Sequence, residues 1–306
     1  MHPMNEFLPT APFDLYELHL FHLVARHRSF TKAAEVAGLT QSAVTRQVQG
    51  IEASLGLALF ERTTRSVQLT DAGRALQRES GRLLGDLDQT LRNLREGFAG
   101  AKKEVRVGVS RSVGLAYLPG FFHANLRRLP GVGYRVSYEP SETILSALEA
   151  NEIDLGVLCP PRRLPKTVRV THRFNDAFVL ITPRDVAPLP ESARANARAA
   201  WLGQQNWLLL DERTNTGRRL RSWLQRYGWR IEPGMQLDSF DLIVNLVALG
   251  MGSSFVPTRA LALYSGKRSL RRQPWPERFV RELVVVVRRN RKLPEHLTQF
   301  IENVLF

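Results

Sequence analysis

No stretch of this chain narrows its folding options more than Ser29–Val48. Ala33, Ala34 and Ala37 place small side chains where a second helix can cross a first at close range. Gly38 follows, suited to the positive φ of a tight turn. Leu39 stands where it can plug a core, and Thr40 where it can cap a second helix opening with Gln41 and Ser42. In that helix Val44, Val48, Ile51 and Leu55 recur at i, i+4, i+7 and i+11 and make a core face. Ser42, Thr45, Arg46 and Gln49 recur at i, i+3, i+4 and i+7 on the opposite side. This is the pattern of a helix-turn-helix whose second helix reads a DNA groove. Arginine can grip guanine with two hydrogen bonds and glutamine can grip adenine, while serine and threonine donate or accept. A surface helix that happens to be rich in Ser, Thr and Gln is the competing reading. The basic hairpin that follows, Glu61–Ser66 with Arg62 and Arg65, weighs against it, because a wing of this kind sets cations beside the groove.

The flanks extend the pattern. Residues 13–60 read as short helices, with Leu15, Leu18, Phe21, Val24 and Ala25 at helical spacing. Residues 61–69 read as a small hairpin in which Val67 and Leu69 alternate with polar neighbours. Thr70 can cap a long helix, and Asp71 puts negative charge in its first turn, where the helix dipole favours it. Along that helix Leu84, Leu87, Leu91, Leu94 and Phe98 follow at 3-4-3-4 spacing, a coiled-coil seam flanked by Arg82, Asp86, Asp88, Arg92 and Arg95. A helix over 71–97 is about 40 Å long at 1.5 Å per residue. It needs a partner to cover the seam, which favours a symmetric dimer over packing on its own domain. Gly97–Ala101 is small and flexible and reads as a hinge.

The net charge of +14 does not belong to this N-terminal part. Residues 1–97 hold 11 Lys/Arg and 11 Asp/Glu, and the remainder holds 32 against 18. Much of the excess lies in Lys267–Lys292, which is open to three readings: a solvated face, a DNA track, or a field that attracts anionic ligands. At 306 residues the chain fits two or three domains. It carries no run near the ~18 apolar residues of a membrane helix and no signal-like start, and its single cysteine, Cys159, precludes an internal disulfide. A cytoplasmic location with no membrane partner is the expectation.

From Val105 the pattern changes to strands alternating with helices. Strands are expected at Val105–Val109, Gly133–Tyr138, Asp154–Leu158, Phe178–Thr182, Trp207–Leu210, Ser254–Val256 and Leu283–Val287. Helices are expected at Leu115–Leu129, Thr143–Ala150, Gly217–Tyr227, Phe240–Leu249 and Glu295–Leu305. The alternation predicts α/β architecture with mostly parallel sheets, and the Pro-rich stretch Pro183–Pro190 marks a crossing between subdomains.

Four segments together, Phe30–Ala34, Gln41–Gln47, Leu59–Arg62 and Leu69–Gly73, match in order and spacing the signature of the LysR-type transcriptional regulators, which residues 14–97 resemble. A looser likeness continues through Ile153–Val157, Val247–Gly252 and Val256–Pro257. The resemblance implies a winged helix-turn-helix over 1–70, a dimerising linker helix over 71–97, a hinge at 98–104, and a two-lobed domain over 105–306 similar to periplasmic binding proteins. Lobe I would take 105–182 and 280–306, and lobe II 183–279. It implies double-stranded DNA as partner, a homodimer through the linker helix that pairs into a tetramer, and a small-molecule effector. DNA contacts carried over fall on Gln41, Ser42, Thr45 and Arg46, with Arg62 and Arg65 from the wing and Thr31 at phosphate; Thr40 and Gln49 complete the expected surface. The family often has proline where Ser42 stands, so that base contact differs here.

In such a domain ligands sit between the lobes, at strand carboxyl ends and helix N-termini. Those places hold Ser110, Ser112, Ser141 and Cys159 in lobe I, and Thr214, Thr216 and Ser239 in lobe II; family matching puts effector positions close to Ser112, Ser141 and Ser239. Hydroxyls with free backbone N–H groups suit a small anion, while plain N-capping, the commonest role of Ser and Thr at such places, accounts for roughly half of them. Arg111 adds charge to the cleft or faces water. No metal, cofactor or catalytic residue is expected: Gly250–Gly252 precedes a strand instead of following one, His19 and His22 lack further ligands and read as solvated, and Cys159 reads as a packed thiol. The expected function is a regulator controlled by a small, anionic metabolite. The alternative is a constitutive or architectural DNA-binding protein whose basic C-terminal domain wraps DNA, and an enzyme ranks last.

Overall fold

A computed structural model describes residues 12–63, 66–114, 117, 122–123, 126–189, 195–229, 231–262, 264 and 269–303. The chain forms two compact units, Met1–Ala99 and Gly100–Phe306.

The first unit contains α1 (Leu15–His27), α2 (Phe30–Ala37), α3 (Gln41–Leu55), β1 (Phe60–Thr63), β2 (Ser66–Leu69) and α4 (Asp71–Phe98). Each helix starts on a capping side chain, which supplies one of the acceptors that first-turn N–H groups lack. Asp14 caps α1 in a capping box with Glu17, Ser29 caps α2, Thr40 caps α3 and Thr70 caps α4. Gly38 closes α2 at φ +67, as its place in the turn requires. Phe21, Val24, Ala33, Ala34, Val44, Val48 and Ile51 fill the shared core. Leu39 and Leu55 depart from the expected core face, each 37% exposed. The Leu39 N–H closes the turn onto the Ala34 carbonyl, and Leu55 is the last residue of α3, beyond the helix crossing.

β1 and β2 pair antiparallel from Phe60↔Leu69 to Thr63↔Ser66. α4 then leaves the hairpin at very close range: a Cβ on Gly73 would lie 2.1 Å from the Leu59 carbonyl oxygen. His22 is not the solvated residue its spacing suggested. Its Nε2 sits 2.7 Å from Ser80 Oγ, joining α1 to α4, and burial followed by the charge of nearby His19 lowers its pKa to about 4. Leu84 packs against the core of this unit, but Leu87, Leu91, Leu94 and Phe98 remain exposed. The helix ends one residue beyond the expected boundary and the next strand starts at Lys103, leaving Ala99–Lys102 as the connection.

The second unit contains β3 (Lys103–Ser110), β4 (Val132–Glu139), α5 (Ser141–Glu149), β5 (Leu155–Leu158), β6 (Val168–Pro183), α6 (Ala195–Gly203), β7 (Trp207–Leu210), α7 (Asn215–Arg226), β8 (Pro233–Leu237), α8 (Phe240–Ala248), β9 (Ser254–Pro257), β10 (Leu270–Gln273), β11 (Val280–Arg288) and α9 (Glu295–Asn303). Much of the helix expected over Leu115–Leu129 lies outside the described residues. The sheets are mixed, where mostly parallel ones were expected. β3 pairs parallel with β4 and β5, and β7 with β8, but β11 and β6 are antiparallel to their neighbours.

The long strand β6 explains both the mixture and the two lobes. Its first half pairs with β11 along Val168–Ala177, completing the lobe I sheet β4-β3-β5-β11-β6. Its second half pairs with β9 from Phe178 to Ile181 and with β10 from Leu180 to Pro183, inside lobe II. The crossing therefore falls within a continuous strand at Ala177–Phe178, upstream of the Pro-rich stretch that was expected to mark it. A bulge between Val285 and Val286 bends the pair on the lobe I side. Lobe I is cored by Val105, Val107, Leu155, Val157, Leu283 and Phe300, and lobe II by Trp207, Leu220, Trp223, Phe255, Ile243 and Val247.

Candidate functional site

Two surfaces answer to the expected chemistry, one in each unit. In the first, α3 buries Val44, Val48 and Ile51 and leaves Gln41, Ser42, Arg46 and Gln49 exposed. The polar face is pre-set by local bonds. Thr45 Oγ1 donates to the Gln41 carbonyl at 2.8 Å and receives Gln41 Nε2 at 3.3 Å, while Thr40 and Ser42 hydroxyls meet at 3.1 Å. Arg46 forms no ion pair among the described residues and projects freely. Thr31 is exposed in the first turn of α2. The backbone of Arg62 lies in β1, whereas its side chain and all of Arg65 fall outside the described residues.

The second surface lies between the lobes of the other unit. The carboxyl ends of β3 and β4 and the segment after β5 meet the starts of α7 and α8. Ser112 Oγ is 3.2 Å from Thr216 Oγ1, and Arg111 pairs with Asp238 at 2.5 Å. Asn215 donates to the Cys159 carbonyl at 3.2 Å. The centre is Arg281, which is 1% exposed. Its guanidinium donates to Asp176 Oδ2, Thr216 Oγ1 and the Ser112 carbonyl, each at 2.8 Å, and lies 5.3 Å from the rings of both Phe178 and Phe240. Asp176 and Arg281 are register partners where the two lobes divide. Tyr117 closes one side: Arg259 lies 5.2 Å over its ring, and burial, then the charge of Asp176 and a hydrogen bond to it, push its phenol well above the ordinary range.

The expected effector residues separate into groups. Ser112 and Thr216 meet across the lobes. Thr214, and not Thr216, caps α7. Ser141 opens α5 and Ser239 precedes α8, yet neither makes a cap hydrogen bond; Ser239 Oγ donates to Asp241 instead. Simple capping therefore does not account for Thr216, Ser141 or Ser239. Ser110 Oγ is buried with no partner among the described residues. Cys159 has its thiol in the lobe I core and offers the cleft only its carbonyl, so its side chain is not a cleft contact. The cluster is centred on Arg281 and Asp176, which the sequence reading did not single out for the cleft. Arg281 was visible only as one member of the Lys267–Lys292 tract.

Residues 15–74 match the family described as bacterial regulatory helix-turn-helix protein, lysR family. Residues 99–305 match the LysR substrate binding domain. The chain belongs to the LysR family. This LysR-family regulator is 30% identical over 299 residues to the RuBisCO operon transcriptional regulator of Allochromatium vinosum, covering 95% of each chain. It is 29% identical over 283 residues to the HTH-type transcriptional regulator YfeR of Shigella flexneri, covering 92% of this chain and 90% of that one. Among solved structures it resembles the LysR family transcriptional regulator CbnR, with a TM-score of 0.67 at 20% identity, over 95% of this chain and 98% of that one. Full-length CbnR complexed with its target DNA gives 0.65 at 20% identity, over 95% and 99%. These likenesses support the fold: an N-terminal helix-turn-helix followed by a LysR substrate-binding domain of α/β type, consistent with a periplasmic-binding-protein-like architecture. No described helix is long and apolar enough to cross a membrane.

Proposed function

We propose that this LysR-family regulator reads DNA with Gln41, Ser42, Thr45, Arg46 and Gln49, supported by Thr31, Thr40 and the wing residues Arg62 and Arg65. It works as a homodimer joined through the exposed α4 seam, with dimers pairing into tetramers. A small metabolite bound between the lobes controls it. One observation carries the effector reading. Ser112, Thr216 and Arg281 meet between the lobes, while the helix-start hydroxyls of Ser141 and Ser239 are free of capping duty. An effector carboxylate or phosphate fits this set by accepting from the hydroxyls and competing with Asp176 for the guanidinium. The lobes are held together by Arg111–Asp238, Ser112–Thr216 and Asn215–Cys159, and an effector that replaces these contacts changes how they sit.

The alternative, a basic C-terminal track wrapping DNA, loses support from the fate of its arginines. Arg281 is buried, Arg291 pairs with Asp154 at 2.7 Å, and Arg289 and Arg271 donate to backbone carbonyls. The test is a thermal-shift screen of small carboxylates and phosphate monoesters on the full chain, followed by footprinting with each hit. A hit that alters the footprint of the parent protein, and does neither in Thr216→Val, supports the reading. If the Thr216→Val protein responds as strongly as the parent, the effector does not bind at this cleft.

A further inference from the structure

Next to the cleft, sharing Asn215 with it, lies a second concavity of about 810 Å³ in which arginine is the commonest lining residue. Lobe I contributes Arg162, α7 contributes Arg218, Arg219, Arg221 and Arg226, and Arg278 comes from the segment entering β11. The single carboxylate among the lining residues is Glu212. Arg221 is answered by Glu212 and Glu232, and Arg218 by Glu142. Arg219 donates to the Pro160 carbonyl and has no carboxylate partner among the described residues. The same holds for Arg162, Arg226 and Arg278. Four guanidinium groups thus line one hollow without an ion-pair partner among the described residues. Like charges held this way repel, so the hollow favours any anion that bridges them.

We propose that this hollow is a second ligand site, distinct from the Ser112–Thr216 cleft, for a small organic molecule carrying two or more phosphate groups. Its volume is that of a small-molecule site. Guanidinium forks match phosphate oxygens two at a time, and a ligand with a single charge could satisfy only part of the set. The arginines converge on a hollow with walls from both lobes, which suits a compact polyanion better than a straight duplex. The site adjoins the cleft: Val280 lines the hollow while Arg281, next along the strand and so on its other face, enters the cleft.

All five tryptophans, Trp201, Trp207, Trp223, Trp229 and Trp275, lie in lobe II, and Trp223 lines the hollow with its indole N–H buried and without a partner among the described residues. Intrinsic fluorescence of the full chain is therefore the readout, with tripolyphosphate as probe and sodium sulfate at matched ionic strength as control. The expected result is saturable binding of tripolyphosphate that sulfate does not reproduce. The double variant Arg219→Gln/Arg226→Gln should raise its Kd at least tenfold. Arg162→Gln, on an exposed loop of the opposite wall, should raise it at least threefold without touching α7. Ser239→Ala, in the cleft, should leave it unchanged. An equal response to sulfate overturns the proposal, as does equal weakening by Ser239→Ala. If the arginine variants spare tripolyphosphate binding but flatten the salt dependence of operator binding, the wall is a DNA track and the proposal fails.

Discussion

The two units of this chain use charge in opposite ways. The helix-turn-helix unit is close to neutral, yet it presents Arg46 without an ion pair among the described residues, on an exposed polar face. The regulatory unit carries the whole excess of +14, and its best-placed cation, Arg281, is buried and fully engaged by Asp176, Thr216 and Ser112. Net charge is therefore a poor guide to where either unit binds. In the first, the proposed recognition calls on a few side chains held at the right spacing. In the second, several of the conspicuous arginines are structural, while the hollow beside α7 gathers four that have no carboxylate partner among the described residues.

The sharpest way to break this contrast is at Arg281. Replacing it by methionine leaves Asp176 buried without its cation, and losing one partner of such a pair typically costs about 3–5 kcal/mol. Chemical denaturation should show the regulatory unit losing stability on that scale while an N-terminal transition stays in place. A shift below about 1 kcal/mol would mean that the pair is not the keystone its geometry indicates. Next comes the α4 seam. Leu87→Glu with Leu91→Glu puts like charges opposite each other in a symmetric pair, so sedimentation should show dimers dissociating to monomers at micromolar concentration; persistence of the parent assembly would place the dimer contact elsewhere. Arg46→Ala should then cost about 1–3 kcal/mol of specific DNA binding with little change in non-specific affinity. A gel-shift titration with unchanged affinity and base preference would remove Arg46 from the reading face.

A test of another kind, by pH, concerns His22. Its folded pKa, near 4, lies below the ordinary 6.5. Between those values the unfolded chain binds a proton that the folded unit does not, so stability rises with pH across this window. The contribution is present above about pH 6.5 and declines as the pH falls towards 4. His22→Gln should flatten this part of the pH profile of N-terminal unfolding, and an unaltered profile would show that another group titrates there.

How much of this was legible in the sequence follows from the range of each interaction. The N-terminal unit is made of short-range signals, so the Thr40 and Thr70 caps, the Gly38 turn and the Val44–Val48–Ile51 face were read directly, while the Asp14 and Ser29 caps of the first two helices went unremarked. The misplaced core residues, Leu39 and Leu55, sit at element ends, where periodicity stops carrying information. In the regulatory unit the first half of β6 went unseen because it is the edge of the lobe I sheet. Polar Arg169, Thr171, Arg173 and Asn175 dilute its apolar pattern. Strands β8 and β10 were missed for want of apolar runs. The Arg281–Asp176 pair spans 105 positions, a separation that no local spacing rule reaches.

The crossing between the lobes has a mechanical consequence. Because β6 and β11 stay hydrogen-bonded up to the Ala177↔Val280 pair, the lobes are joined by a two-stranded ribbon and not by a slack loop. Relative motion must twist or bend that ribbon, which behaves as a torsion spring with Asp176 and Arg281 clamped at its lobe-boundary end. An effector bound in the proposed cleft would therefore work against a restoring force set by this ribbon.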